Sequence, residues 1–389
     1  MKQRQTEAGA ADKWQLLYAA GPIAMAFFVN GALFGAWASR IPTVKSAFEL
    51  SPSSLGLLLL VLAGGAVVAF PLAGRTADRL GARGVTRILA VLYVGAFLAI
   101  GLAPSIWTLV LALFAFGATH GGMDVTMNTW GTALERQKNI VALPALHATF
   151  SLGAGAGAAT GYFALQWGLS VAQHALLLSV PMLVLSLIPG GVATAGQPQR
   201  RGVREPVFRL PTATILVVGI VAFSITLGEG AMADWSAVFL VEQTGVVPSH
   251  AALGYTVFSL AMVTMRLLGG AVLRVVGPQS AVLASGAIAA CGAFLAAMTQ
   301  AYGIALLGFL LMGLGFALIM PLSMSAAANV SEDSAGRAIA GVAIFGYGGL
   351  LLGPPIIGFL ADAAGFPVAL GAIGLLALVA CLGSSNFRA

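Results

Sequence analysis

Apolar runs of membrane-spanning length follow one another from Trp14 to Leu382 with only short polar breaks, and nothing else in this 389-residue chain restricts its fold as severely. A helix needs roughly 20 apolar residues to cross about 30 Å of hydrocarbon. Twelve runs come near that length: 14–38, 53–73, 85–103, 106–130, 143–165, 171–189, 213–240, 251–272, 280–299, 303–325, 338–361 and 367–382. A soluble domain of this size needs a charged surface, and with 8% charged against 59% hydrophobic residues the chain cannot supply one. The spans are expected to be helices. An open sheet edge in lipid leaves backbone donors unsatisfied, and the period-2 alternation of a membrane barrel is missing. Glycines such as Gly153, Gly155, Gly157 and Gly161 suit helices that pack closely in lipid. Residues 1–13 are polar and the first apolar run is full length, so no cleaved signal is expected.

The net charge of +6 reads as topology rather than nucleic-acid binding. With a cytoplasmic N-terminus, 17 of the 19 basic residues fall on the inner side. They are Lys2, Arg4, Lys13, Arg75, Arg79, Arg83, Arg87, Arg136, Lys138, Arg200, Arg201, Arg204, Arg209, Arg266, Arg274, Arg337 and Arg388. Only Arg40 and Lys45 fall outside. Both termini are therefore expected in the cytoplasm, in a bacterial inner membrane. Cys291 and Cys381, in apolar spans, are expected to behave as small hydrophobes.

The longest inner loop, 193–209, is polar and rich in Gly, Pro, Gln and Arg, so it reads as the linker between two six-helix halves. The division is 1–192, a linker at 193–211, and 212–389. The halves look related. A shift of 196 lays Gly74 on Gly270, Asp78 on Arg274 and Gly81 on Gly277, and a shift of 195 lays Phe150-Ser151-Leu152-Gly153 on Phe345-Gly346-Tyr347-Gly348. Parallel repeats of this kind place a cavity between the halves at mid-membrane.

The loop Gly74-Arg75-Thr76-Ala77-Asp78-Arg79-Leu80-Gly81-Ala82-Arg83 resembles the Gly-x-x-x-Asp-Arg-x-Gly-x-Arg loop between spans two and three of the major facilitator superfamily. That resemblance implies an all-α membrane protein of twelve transmembrane helices in two pseudo-symmetric six-helix bundles. It also implies a solute transporter rather than an enzyme, with Gly74, Asp78, Arg79, Gly81 and Arg83 forming a gating loop. Spans four and five and the segment 41–50 resemble the fucose:proton symporter branch. Segments 37–42, 124–128 and 228–235 are similar to YbjJ-type inner-membrane proteins.

Each ionisable side chain inside the membrane costs about 2.5 to 3.5 kcal/mol on insertion scales and needs a reason. His120, Asp124 and Asn128 recur at intervals of four in span four and share a face. An acid at that depth that sheds its charge by binding a proton is what a proton carrier needs; a carboxylate bonded to neighbouring helices is the structural alternative. The resemblance sets Asp124 on the essential span-four glutamate of the fucose branch, and His147 on a cavity glutamine. Hence Asp124, His120, His147 and Glu229 are the expected proton-coupling groups. Asn30, Trp37, Asn128, His147, Glu229 and Asp234 are the expected solute ligands, an amide beside an aromatic ring suiting a sugar or polyol.

Glu229 and Asp234, five residues apart, lie about 140° apart on an ideal helix, so they share a face only if Gly228 and Gly230 break span seven. The aspartate of span one in the fucose branch falls on Ala38, which the 196 shift sets opposite Asp234. Arg40 is expected to snorkel to the interface, His174 and His250 to be solvated, and Arg266 to join the inner latch. No cofactor or metal is expected. The expected partners are a small solute, protons and lipid, with the chain a monomer. Proton-driven efflux is the alternative, weakened because the Gly-Pro-x-x-Gly-Gly stretch of such antiporters is missing from span five, and Gly353-Pro354-Pro355-Ile356-Ile357-Gly358 stands instead in span eleven. An intramembrane metalloenzyme, with His120, Asp124 and His147 as ligands, is the weaker rival.

Overall fold

The computed structural model describes residues 2–194, 213–329 and 335–387, and of these the side chains at 2–14, 213–214, 335–337 and 339–340 are left aside. Most of the linker expected at 193–211, Arg200, Arg201, Arg204, Arg209 and Arg388, and the side chains of Lys2, Arg4, Lys13 and Arg337, lie outside what is described.

The described residues are helical throughout, without strands. The N-terminal half contains α1 (Lys2–Ala47), α2 (Pro52–Leu80), α3 (Ala82–Gly101), α4 (Ile106–Lys138), α5 (Leu143–Gln166) and α6 (Val171–Ser186). The C-terminal half contains α7 (Ala213–Thr244), the short α8 (Pro248–Ala251), α9 (Leu253–Ala297), α10 (Tyr302–Phe316), α11 (Ile319–Ala328), α12 (Ala335–Ala364) and α13 (Phe366–Gly383), then a 3-10 turn. Among the described residues, nine stretches are long and apolar enough to cross a membrane by themselves. One of them, Pro248–Ala297, turns at Gly277 and so makes two passes. Glycine-rich α5 and the 16-residue α6 bring the total to the expected twelve.

Local chemistry explains the boundaries. Ser105 and Ser170 form capping boxes at the starts of α4 and α6, and Ser51 caps α2 ahead of Pro52. Asn139 ends α4 in the left-handed conformation that asparagine tolerates. Several helices outrun the apolar pattern. Thus α1 continues to Ala47 rather than 38, and α2 absorbs the expected loop as far as Leu80, because a helix need not stop where its surroundings change from lipid to water. Conversely, the tenth span is split between α10 and α11 at Ala317 and Leu318.

The repeat is visible in packing. Gly81 (φ 87°, ψ 133°) between α2 and α3 has its counterpart in Gly277 (φ 72°, ψ 167°) within α9, so the two positive-φ turns obey the 196 shift. The α1–α5 crossing sets Gly153 against Phe28 O and Gly157 against Ala32 O, while the α7–α12 crossing sets Gly349 against Phe223 O and Gly353 against Leu227 O. These contacts relate α5 to α12 by 196 and α1 to α7 by 195. The 195 expected for span five is thereby corrected to 196, and Asp234 stands opposite Ser39, one residue from Ala38.

The halves meet through α5 with α9, α2 with α12, and α1 with α7. Contacts gather at the end that carries the α1–α2 turn. Lys45 Nζ lies 2.7 Å from Glu242 Oε1, Ser53 Oγ donates to Asp362 Oδ2 at 2.5 Å, and Gln166 Nε2 donates to Ser249 Oγ at 3.3 Å. A Cβ on Gly56 would stand 3.0 Å from Pro354 O, so α2 and α12 touch backbone to backbone there. At the other end, which carries Arg75 to Arg83, Asp78 and Arg79 are exposed and bond no described residue of the opposite half. Among the described residues, the polar contacts that close one half on the other therefore gather at the α1–α2 end, and none joins Asp78 or Arg79 to the opposite half.

Candidate functional site

Small residues set the site's first wall. Gly117 and Gly121 let α4 lie against Leu62 O and Ala66 of α2, and that packing fixes the face carrying His120, Asp124 and Asn128. His120 stacks on Phe34 of α1 (ring centroids 4.8 Å), and its Nδ1 lies 3.2 Å from the Tyr93 hydroxyl of α3. Its carbonyl accepts from Asn30 Nδ2 at 3.2 Å. One turn on, Asn128 Nδ2 donates to both the carboxylate (3.1 Å) and the carbonyl (2.8 Å) of Asp124. Across the interface, Tyr347 of α12 lies within electrostatic reach of Asp124 and packs its ring on Phe70 of α2 at 5.0 Å.

The second wall is centred on Arg266 of α9. Its Nη1 donates to Ser151 Oγ of α5 and, at 3.5 Å, to His147 O, while Nη2 reaches Glu229 Oε1 of α7 at 3.4 Å. Arg266 and Glu229 keep 15% and 27% of their side-chain surface, so the pair is partly exposed rather than sealed in the dry core. The His147 ring meets Phe27 edge-on at 5.3 Å. Tyr255 of α9, itself buried, lies near both Glu229 and Asp234.

Several expectations are revised by this geometry. Span seven is one continuous helix, since α7 runs unbroken through Gly228 and Gly230. Glu229 and Asp234 therefore face different ways, with Asp234 buried at 8% exposure. Arg266, expected at the inner latch, lies well inside α9, eleven residues before the Gly277 turn, and bonds Ser151 of α5 and Glu229 of α7. Arg40 does not snorkel: it is wholly buried, donating to His174 Nδ1 (3.1 Å) and Leu169 O (2.9 Å). His174, expected in solvent, is buried with it, its Nε2 lying 2.9 Å from Thr160 Oγ1. His250 is half-buried beside Tyr162 and Tyr302. Asn30 and Trp37 are fully buried within the N-terminal half, Trp37 against Phe116, and present no surface to the cavity in this conformation.

In the loop, Gly81 is held by its positive φ and by Thr194, which also accepts from Arg83 N at 3.1 Å; a side chain at Gly74 would meet nothing nearer than Val125 at 3.9 Å. No group of three or more metal-ligating side chains converges among the described residues, so His120, Asp124 and His147 do not form one. Sequence reasoning missed Tyr93, Ser151, Tyr255 and Tyr347. The available signal was the repeat, because a shift of 196 carries Ser151 to Tyr347 and Phe70 to Arg266.

Comparison with known proteins agrees with the architecture. Residues 23–232 and 214–384 match the Major Facilitator Superfamily. The chain is 40% identical over 364 residues to the "Uncharacterized transporter y4wD" of Sinorhizobium fredii, covering 92% of this chain and 96% of that one. It is 34% identical to the "Membrane protein MosC" of Rhizobium meliloti, covering 92% and 88%. Among solved structures, a mutant form of the nucleoside transporter NupG superposes with a TM-score of 0.77 at 15% identity over 94% of this chain and 98% of that one. A bacterial homologue of the human lysosomal transporter Spinster, in an inward-facing and unoccupied conformation, gives 0.72 at 16% identity over 96% and 97%.

Proposed function

This chain belongs to the Major Facilitator Superfamily and is a multi-pass membrane transporter of that type, and on that premise we propose that it moves a small polar solute by alternating access, with proton symport. The observation carrying the proposal is Arg266, a cation well inside α9 that bonds Ser151 of one half and Glu229 of the other. Hydroxyls and amides of a sugar, polyol or sugar acid are suited to such a mixture of Arg266, Glu229, Asn128 and aromatic rings. A solute that takes over the Ser151 contact loosens one half from the other, which is what a bound substrate must do to start the rocking motion.

Asp124 is the proposed coupling acid. It is half-buried on α4, its single side-chain donor is a neutral amide, and no cation neutralises it among the described residues. The likeness to the fucose:proton symporter branch supports the same assignment. The basic residues of the α2–α3 turn support a cytoplasmic position for that end and for both termini, in a bacterial inner membrane. On that placement the polar contacts that join the halves at the α1–α2 turn lie on the outer side.

Proteoliposomes test the reading. Solute added outside at equal pH should make the external medium more alkaline, and an inside-negative potential should raise uptake. One proton crossing 100 mV releases about 2.3 kcal/mol, enough at 1.36 kcal/mol per tenfold for roughly fifty-fold accumulation. Asp124→Asn should keep solute exchange and lose accumulation. External acidification would instead mean exchange of solute for protons, and accumulation by Asp124→Asn would remove that acid from the mechanism.

A further inference from the structure

Tyr93 and His120 meet at the end of a ladder of contacts between α3 and α4. Thr86 Oγ1 lies 2.9 Å from Thr126 Oγ1, a Cβ on Gly122 would lie 3.3 Å from Leu89 Cδ1, and the Tyr93 hydroxyl lies 3.2 Å from His120 Nδ1. The paired numbers rise along one helix as they fall along the other, so the helices run antiparallel in a single register. Seven residues, close to two turns, separate Thr86 from Tyr93, which puts both on the face that meets α4.

Three helices hold the imidazole. Its ring stacks on Phe34 of α1 with the planes 19° apart, Phe150 of α5 lies 6.4 Å away between centroids, and Nδ1 faces Tyr93 of α3. Asn30, one turn before Phe34, steadies the backbone beneath by donating to His120 O. The other ring nitrogen, Nε2, bonds no described residue, yet it is not sealed from solvent, and His120 is half-buried.

Tyr93 decides which nitrogen carries the proton. It is wholly buried, and His120 Nδ1 is the one hydrogen-bond partner of its hydroxyl among the described residues. The buried Asn30 Oδ1, the other acceptor beside His120, bonds no donor, so the phenol has not turned to it. A phenol has one O–H to donate, and a neutral imidazole has one N–H and one lone pair. A proton on Nδ1 would leave the Tyr93 O–H buried without an acceptor, the costly way to bury a donor. With the proton on Nε2, Tyr93 donates to the Nδ1 lone pair and its hydrogen is bonded.

We propose that Tyr93 is a positioning residue that locks His120 in the Nε2–H tautomer, so that α4 offers a fixed, solvent-facing N–H donor to an oxygen acceptor of the solute. Hydroxyl, ether and carboxylate oxygens are acceptors of that kind. This part differs from the proton coupling expected of His120, because Nε2 already carries its hydrogen and Nδ1 can take up a proton only by giving up the Tyr93 bond. Asp124 and Asn128 follow on the same face of α4, which sets the donor in line with them. The role toward a solute rests on the transport reading, whereas the tautomer does not.

The test is 15N NMR of the full chain in lipid at neutral pH, with histidine labelled at both ring nitrogens. The His120 signals are those that His120→Gln removes. Should that variant fail to fold, contacts to labelled rings make the assignment, since of the four histidines only His120 has both phenylalanine and tyrosine rings against it among the described residues. The expected pair is a protonated Nε2 and an unprotonated, hydrogen-bonded Nδ1, with a cross-peak from the Nε2 hydrogen to water. Tyr93→Phe should move Nδ1 out of its hydrogen-bonded position and admit a share of the other tautomer, which a purely structural phenol would not do. A proton on Nδ1, a doubly protonated ring, no contact with water, or a His120 pair unmoved by Tyr93→Phe overturns the proposal. If Tyr93→Phe does not fold, the first three outcomes still decide it on the parent chain. The expected pair in a chain that moves no solute would uphold the lock and remove the transport reading alone.

Discussion

Gly157 and Gly353 are related by the repeat, yet a methyl group added at each should have opposite consequences. A Cβ on Gly157 would fall within the shell of Ala32 O, with Ala32 C at 2.7 Å and Ala32 Cα at 2.9 Å. All three are backbone atoms of α1, so no rotamer change relieves the clash. Ordinary carbon contacts lie at about 3.5 to 4.0 Å, so α1 and α5 would have to part by about 1 Å, a gap that forfeits up to half of each contact across the crossing. Overpacking costs about 1 to 3 kcal/mol, and a rigid backbone neighbour puts Gly157→Ala near the upper figure. At Gly353 the nearest atoms are Leu227 O at 3.3 Å and Leu227 Cγ at 3.4 Å, which small adjustments accommodate. Alanine is there better than glycine by up to about 1 kcal/mol of helix propensity. Thermal unfolding of the purified variants, followed by loss of the monodisperse gel-filtration peak, should show Gly157→Ala lower by roughly 6 to 12 °C for a half of this size. Gly353→Ala should match or exceed the parent. Equal melting of the two would refute the packing asymmetry and with it the register of the α1–α5 crossing.

Two further outcomes follow from the cross-half contacts. Arg266→Gln and Glu229→Gln should each destabilise, and their double-mutant cycle should show about 1 to 2 kcal/mol of coupling, because the pair is long and partly exposed; strictly additive losses would mean that the 3.4 Å approach has no energetic content. Glu242→Gln removes an exposed ion pair worth up to about 1 kcal/mol, so it should raise the open population of the Lys45 end by up to about fivefold. Alkylation of a Ser249→Cys reporter by an impermeant maleimide, in a background without Cys291 and Cys381, would read this directly, and an unchanged rate would relieve Lys45 of any part in holding that end shut.

How much of this was legible in the sequence depended on the interaction concerned. The helices and their number could be read because lipid imposes one rule on every span, and hydropathy records it residue by residue. The His120, Asp124 and Asn128 face was legible because spacing within one helix determines which side chains share a side. Contacts between helices were less accessible. Arg266 looked like an inner-latch residue because sequence gives depth only by counting, and a few residues of error in the end of α9 carry it from the centre to the surface. His174 was misplaced for a related reason: near a predicted span end, only the fold shows that α1 brings Arg40 inward to meet it. The broken span seven failed because glycine permits a break without requiring one, and here Gly228 and Gly230 serve close packing against Phe316 and Leu350.

The repeat also indicates where function departs from architecture. A shift of 196 carries the Ser53–Asp362 contact onto Ser249–Gln166, so the shut end is closed twice at repeat-related positions, the serine donating to a carboxylate in one and accepting from an amide in the other. Applied deeper, the same shift carries Arg266–Ser151 onto Phe70–Tyr347. The positions correspond, but the chemistry does not: one side of the axis holds an arginine on a hydroxyl, the other an aromatic pair. Symmetry in the closing contacts is what a rocking motion about a central axis requires, since each half must release the other in step. A small solute has no such symmetry, and a site that recognises it must break the repeat. The level of Arg266 and Tyr347 is where the repeat keeps its geometry and gives up its residues, and it is the level at which the proposed function puts substrate recognition.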